Sequence, residues 1–235
     1  MDRASARERE EHYRTLASLY LRPPAGALLE MIGDRGIPPA WTDGPGGPDH
    51  PGSEGAGTAL GCLEEFVTEA SGLPGLGEEL AAEHAALFVL PSGVIPHEAF
   101  YLGTEQRLGG RVTITVEQFY RRAGMPVLDR CIEMADHLGL ELEFMAALCR
   151  LEAELEDAGD PAALERCLDL QRTFLEEHLS RWAPACCENV VRHARYGFYK
   201  AIAHLTREFL GSEEARLGIR EAQGARPCES GPPSR

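Results

Sequence analysis

The amino-acid sequence predicts an all-α fold, and three observations carry that expectation. Apolar residues recur at three- and four-residue spacings through most of the 235 residues, which is the period of an amphipathic helix. One stretch, Val112-Thr-Ile-Thr-Val116, alternates convincingly, so a sheet would lack partners for it. Proline and glycine cluster at the boundaries between periodic segments, where they end helices.

Taken in order, Leu16, Leu19 and Tyr20 give a first helix its apolar face. Pro23-Pro24 stops it, because proline lacks an N–H and restricts the residue before it. From Gly36 to Gly57, 12 of 22 residues are Gly or Pro; such a run cannot nucleate regular structure, and 36–57 is expected to be a flexible insertion. Helical spacing resumes with Leu60, Leu63, Phe66 and Val67, breaks at Gly72-Leu-Pro-Gly75, and returns from Leu80 through Phe88. Thr115 and Gln118 have capping-box spacing, Phe119 and Tyr120 continue a helical face and Gly124 closes it, which predicts a helix over 116–123. From Ile132 to Leu155 the apolar positions form two overlapping helical lines, Leu138-Leu142-Met145-Cys149 and Leu140-Phe144-Leu148-Leu151-Leu155. So wide an apolar face marks a helix central to the core. Gly159-Asp-Pro161 breaks the chain, and helices follow at about 162–180, 184–194 and 196–210. Residues 212–235 are expected to form a disordered tail.

Composition excludes several function classes. The longest apolar runs are six residues, Ala85 to Leu90 and Phe144 to Cys149, against roughly 20 for a spanning helix, so no membrane insertion is expected. A formal charge of −15 repels phosphate backbones, which speaks against nucleic acid and for a cationic peptide as partner. The acidity is uneven: acidic and basic residues number 12 and 4 over 36–125, and 14 and 4 over 126–180, a net −10 in the latter segment. Seven cysteines, an odd number without a C-x-x-C, read as reduced thiols. The N-terminal residues mix both signs of charge without a following apolar region, so no signal peptide is expected and the predicted location is the cytoplasm.

The central segment holds a polar anomaly. Glu133, His137 and Glu141 are spaced four apart with Asp136 beside them, flanked by Leu138, Leu140 and Leu142. Carboxylates and an imidazole on such an apolar helix are costly unless paired. Three readings follow. In the first, a helical-bundle metalloenzyme takes ligands from Glu133, Asp136, His137 and Glu141, although the Glu-x-x-His spacing of di-metal carboxylate bundles is missing. In the second, Asp136 is an ordinary N-cap for a helix starting near His137, and Glu133 and His137 are a helix-start pair. In the third, the cluster is the anionic wall of a groove for an arginine-bearing apolar peptide, with the leucines taking its apolar residues. Upstream, Pro91 and Pro96 rigidify a loop that presents His97, Glu98 and Tyr101, either as an interaction surface or as a structural connection with Phe100 and Tyr101 packed inward.

Together these segments resemble the TorD/DmsD family of redox-enzyme maturation chaperones. Residues 133–137, Glu-Met-Ala-Asp-His, are similar to the E-x-P-D-H signature, with Ala135 in place of Pro. Leu87-Phe88 to Tyr101 is similar to the L-F-x-G-P…P-x-E-S-x-Y segment, with Ala99 in place of Ser. Phe119-Tyr120…Gly124, Phe174 to Pro184, and Tyr199-Lys-Ala-Ile-Ala203 to Phe209-Leu210 match in the same order. The resemblance implies one multi-helix domain over 1–211, with N- and C-terminal helical halves joined by a hinge near 124–133. It implies a non-catalytic, cytoplasmic protein without a cofactor, monomeric or a domain-swapped dimer. Such a protein binds the twin-arginine signal peptide and the apo-catalytic subunit of a molybdopterin oxidoreductase before export. The implied client-binding residues are Pro96, His97, Glu98, Tyr101, Glu133, Asp136, His137 and Glu141.

Overall fold

The computed structural model describes residues 5–24, 26, 56–70, 75–103, 107–125 and 133–219. Helix α1 spans Ala6–Leu21, α2 Ala56–Ala70, and α3 Leu76–His84 with a π-helical turn over Ala85–Val89. Then follow α4 (Glu98–Leu102), α5 (Arg111–Arg122), α6 (Leu138–Ala158), α7 (Pro161–Phe174) with a second π turn over Leu175–Leu179, α8 (Ser180–His193) and α9 (Gly197–Leu217). Among the described residues the one departure from helix and loop is an isolated antiparallel bridge between His97 and His137. The fold is all-α. No described helix is long and apolar enough to cross a membrane. Most of the predicted insertion, the centre of the predicted hinge, Cys131, Cys228 and residues 220–235 lie outside the described residues.

Helix ends follow local chemistry. At α1 Ser5 and Glu8 form a reciprocal capping box, Glu8 N donating to Ser5 Oγ at 3.3 Å and Ser5 N to Glu8 Oε2 at 2.6 Å. Asp160 Oδ1 accepts from Ala163 N at 3.0 Å at the start of α7, with Pro161 in the first turn. Gly159 closes α6 at φ +66°, a left-handed conformation that costs other residues a Cβ clash.

Helix α6 is the axis of the core. Leu138, Leu142, Met145, Leu148 and Cys149 are all completely buried. Helix α1 lies along one side, close enough that a Cβ on Gly139 would sit 2.5 Å from Leu21 Cγ, and α7 packs on another. Helix α9 packs against α2 and α8; Gly197 allows this approach, because a side chain there would collide with the Cys62 carbonyl. Phe119, Tyr120, Phe144 and Phe174 stack into an aromatic cluster, with Tyr120 and Phe144 ring centres 4.5 Å apart. A buried polar network ties α1, α6, α7 and α9: Arg9 pairs with Glu152 and Glu213, Gln171 Nε2 donates to Glu152 at 2.7 Å, and Arg216 bridges Glu213 and Gln171 at 2.8 Å. Its members leave few polar atoms without partners, as burial requires.

Five boundaries differ from the sequence expectation. The stretch Val112–Val116 is helical, and α5 begins at Arg111; Val116, Phe119 and Tyr120 bury on one face, so helical periodicity overrides β propensity. Thr115 does not cap: its hydroxyl donates back to the Arg111 carbonyl at 2.9 Å. Helix α6 starts at Leu138 rather than near Ile132, because the chain before it turns at Ala135 and Asp136 and His137 is bridged to His97. Helices α7 and α8 run into one another through the π turn, which turns Leu175, His178 and Leu179 inward, and Pro184 sits inside α8. Helix α9 continues to Leu217, so 212–217 is not tail: Glu213 and Leu217 are buried, and Arg172 Nε donates to the Leu217 carbonyl at 3.1 Å. Residues 56 and 57 belong to α2 rather than to the insertion.

Candidate functional site

Two chain segments make the site, the loop entering α4 and the turn entering α6. Leu138 N donates to the Pro96 carbonyl at 2.8 Å, and Glu98 N donates to the Asp136 carbonyl at 2.9 Å. Between these bonds the His97 and His137 rings meet edge to face, with centres 5.0 Å apart. The clamp brings Pro96, His97, Glu98, Asp136, His137 and Glu141 together, all of them buried.

Each buried group has a structural task. Asp136 caps, as an N-cap would, but it caps another helix: its Oδ2 accepts from Ala99 N at 3.0 Å, in the first turn of α4. Burial opposes ionisation of Asp136, yet the His97 ring, the Ala99 N–H and the Thr113 hydroxyl outweigh it, and the carboxyl is held below its ordinary value. The cap of α6 is His137, whose Nδ1 accepts from Gly139 N at 3.0 Å. An accepting Nδ1 places the ring proton on Nε2. Burial first, then the neighbouring His97, push the His137 imidazole down to about 3, so it is neutral at physiological pH.

Glu141 accepts from Trp182 Nε1 at 3.1 Å, joining α6 to α8. Burial above all, then the nearby Glu98 carboxylate, raises the Glu141 carboxyl well above its ordinary range. Glu98 accepts from His178 Nδ1 at 2.9 Å, which pairs α4 with the second π turn. Tyr101 is half-buried; its hydroxyl accepts from Asn189 Nδ2 at 3.1 Å and its ring lies on Trp182. Tyr120 adds a further tie, donating to the Ala135 carbonyl at 2.9 Å.

Glu133 stands apart. Its side chain is 49% exposed, and its Oε2 lies 3.9 Å from His97 Nε2. Beside it Met134 is exposed, and its sulfur would lie 3.9 Å from a Cβ placed on Gly109. Among the described residues the surface of the joint offers the Glu133 carboxylate with Met134 next to it, while Leu138, Leu140 and Leu142, the sequence candidates for an apolar wall, are core residues.

Three expectations change in consequence. Glu133, His137 and Glu141 do not stack along one helix, because Glu133 precedes α6 and His137 is its cap. Asp136 does not cap the helix that follows it. The four-residue metal set is not assembled, since Asp136 and Glu141 do not share a cluster of ligand-type atoms with Glu133 and His137. Among the described residues, those whose ligand-type atoms do lie within 4.8 Å of one another are His97, Glu133 and His137. Sequence reasoning also missed His178, Trp182 and Asn189 as partners of the cluster. The first two lie in the matched stretch Phe174 to Pro184, but only the fold shows that they face Glu98 and Glu141.

Fold and site together define a class: an all-α bundle whose central carboxylates and imidazoles hold helices together beneath a small acidic and apolar surface. Known proteins make the class specific. The family model described as nitrate reductase delta subunit matches residues 50–188, and the chain belongs to that family. Its curated relatives include the chaperone protein TorD of Vibrio parahaemolyticus, 28% identical over 59% of this chain and 64% of that one. TorD of Vibrio vulnificus is 28% identical over 54% and 59%, and TorD of Photobacterium profundum 28% over 59% and 64%. The chain thus spans about three-fifths of the length of these relatives. They are named as chaperones rather than enzymes, and the resemblance read from the sequence to the TorD/DmsD family is borne out.

Proposed function

We propose that this chain is a cytoplasmic maturation chaperone, not an enzyme, which binds the twin-arginine signal peptide and the apo-catalytic subunit of a molybdopterin oxidoreductase. It holds that client until cofactor insertion is complete. Family membership supports the chaperone reading. The observation that carries the client chemistry is the exposed Glu133 carboxylate next to the exposed Met134. A signal peptide with two adjacent arginines and an apolar stretch needs anionic and apolar surface side by side, and a guanidinium forks onto a carboxylate.

In this reading the client-binding residues divide by exposure. Glu133 makes the charged contact and Tyr101 lines the rim. Pro96, His97, Glu98, Asp136, His137 and Glu141 fix the shape of the joint from within. Co-purification from the native host tests the proposal: a molybdoenzyme precursor that still carries its signal peptide is expected with the wild-type chain. Recovery of only the mature, cofactor-loaded enzyme, or of no molybdoenzyme, overturns it.

A further inference from the structure

We propose that His97, Glu133 and His137 form a binding site for one divalent transition-metal ion of the zinc class. Two imidazoles and a carboxylate are the donor set that such ions favour. Three ligand-type atoms already lie within 4.8 Å of one another, whereas two ligands of a tetrahedral zinc at about 2.0–2.1 Å sit roughly 3.3–3.4 Å apart. The 3.9 Å between His97 Nε2 and Glu133 Oε2 needs only a small closure, and Glu133, half-exposed ahead of α6, is the ligand able to make it.

A second observation points the same way. His97 is buried, with Nδ1 lacking a hydrogen-bond partner, and Asp136 Oδ1, equally buried and without one, lies 3.7 Å away. A metal on His97 Nε2 fixes the ring proton on Nδ1, facing that carboxylate oxygen. Closing that 3.7 Å gap to hydrogen-bond length would complete the carboxylate–histidine–metal relay that orients ligating imidazoles, and it would pair both buried atoms.

His137 supplies the third ligand at a definite cost. In the metal-free chain its Nδ1 accepts from Gly139 N and its Nε2 carries the proton. Ligation by Nε2 requires that proton to leave; a neutral ring then carries its proton on Nδ1 and gives up the Gly139 bond. Metal binding therefore replaces the α6 cap with a metal–nitrogen bond, and it is weakened as protons compete for the ligands at lower pH. Glu133 provides the exposed entrance and leaves the fourth coordination position toward solvent. The ion would tie the loop before α4 to the turn before α6, the joint on which the client reading also rests, but the site stands whether or not that reading does.

Calorimetric titration of zinc chloride into the full chain, stripped with chelator, tests the site, with cobalt(II) absorption as a second readout. The expected result is one ion per chain, a visible tetrahedral cobalt spectrum, and a thermal transition raised by the metal. Glu133→Gln, whose side chain is half-exposed and not needed by the core, is expected to weaken binding at least tenfold with an unchanged far-ultraviolet circular dichroism spectrum. His97→Gln is expected to abolish the cobalt spectrum. Absence of stoichiometric binding overturns the proposal, as does binding of equal affinity in both variants, since zinc would then be held by other side chains.

Discussion

Asp136 and Glu133 are three residues apart and serve opposite ends of the site. Asp136 is completely buried and caps α4, so Asp136→Ala leaves the Ala99 N–H without a partner and opens a gap beneath His97. A loss of about 1–3 kcal/mol in unfolding free energy is expected, measured by urea denaturation. Glu133→Gln, at an exposed position, is expected to change stability by less than about 0.5 kcal/mol. His137 adds a pH signature. Its folded-state value of about 3 lies below the ordinary 6.5, so below 6.5 the unfolded chain takes up a proton that the folded chain refuses. Stability therefore falls as pH drops from 6.5 toward 3. His137→Asn keeps a capping acceptor without the titration, and denaturation at pH 4 and pH 7 is expected to show a smaller acid loss than in wild type. The polar residues of this cluster were legible in the sequence because charge stands out against leucine. Their tasks were not, because the cap that Asp136 provides goes to Ala99, 37 residues away, and no local pattern encodes that.

At the scale of elements, the joint between α4, α6 and α8 depends on acids held in unusual states. Glu141 is raised well above its ordinary value of 4.5, so the folded chain holds a proton there that the unfolded chain has released. Stability from this group falls as pH rises through the interval above 4.5. Glu141→Gln retains an acceptor for Trp182 and is neutral at every pH, so its stability relative to wild type is expected to grow as pH is raised from 5 to 8. A constant difference across that range would refute the upward shift. The opposite kind of joint binds α1 to α6 and α9, where Arg9 pairs with Glu152 and Glu213. Arg9→Met leaves the buried Glu152 without its guanidinium, while Glu213 keeps Arg216, and a loss of about 3 kcal/mol is expected, read as a lowered denaturation midpoint. The helices themselves were legible from the three- and four-residue spacing of their apolar residues. What displaced their ends was tertiary: the His97–His137 bridge delays α6, and the π turn carries α7 through into α8. The last turn of α9 is held by burial of Leu217 and by Arg172, neither of which periodicity alone weighs.

Over the whole molecule, the formal charge of −15 first separated classes of partner and then acquired a location. The sequence placed its largest surplus in 126–180, but much of the acidity at the joint is withdrawn from solvent. Asp136, Glu141 and Glu98 are buried in the helix contacts, and Glu133 is left at the surface. Leu138, Leu140 and Leu142, expected from periodicity as the apolar wall of a groove, are buried in the core, and the exposed side chains here are Glu133 and Met134. Periodicity identifies apolar residues without separating those that fill a core from those that meet a partner. An exposed charged contact is screened within about 8 Å at physiological ionic strength, so client affinity should fall with added salt. The central claim is that a twin-arginine peptide is bound here through its guanidinium groups. Isothermal titration calorimetry of such a peptide, against its counterpart with both arginines replaced by glutamine, tests it most directly. Saturable one-to-one binding is predicted for the arginine peptide, at least tenfold weaker for the glutamine peptide; equal affinities, or no saturable heat from the arginine peptide, would contradict the account.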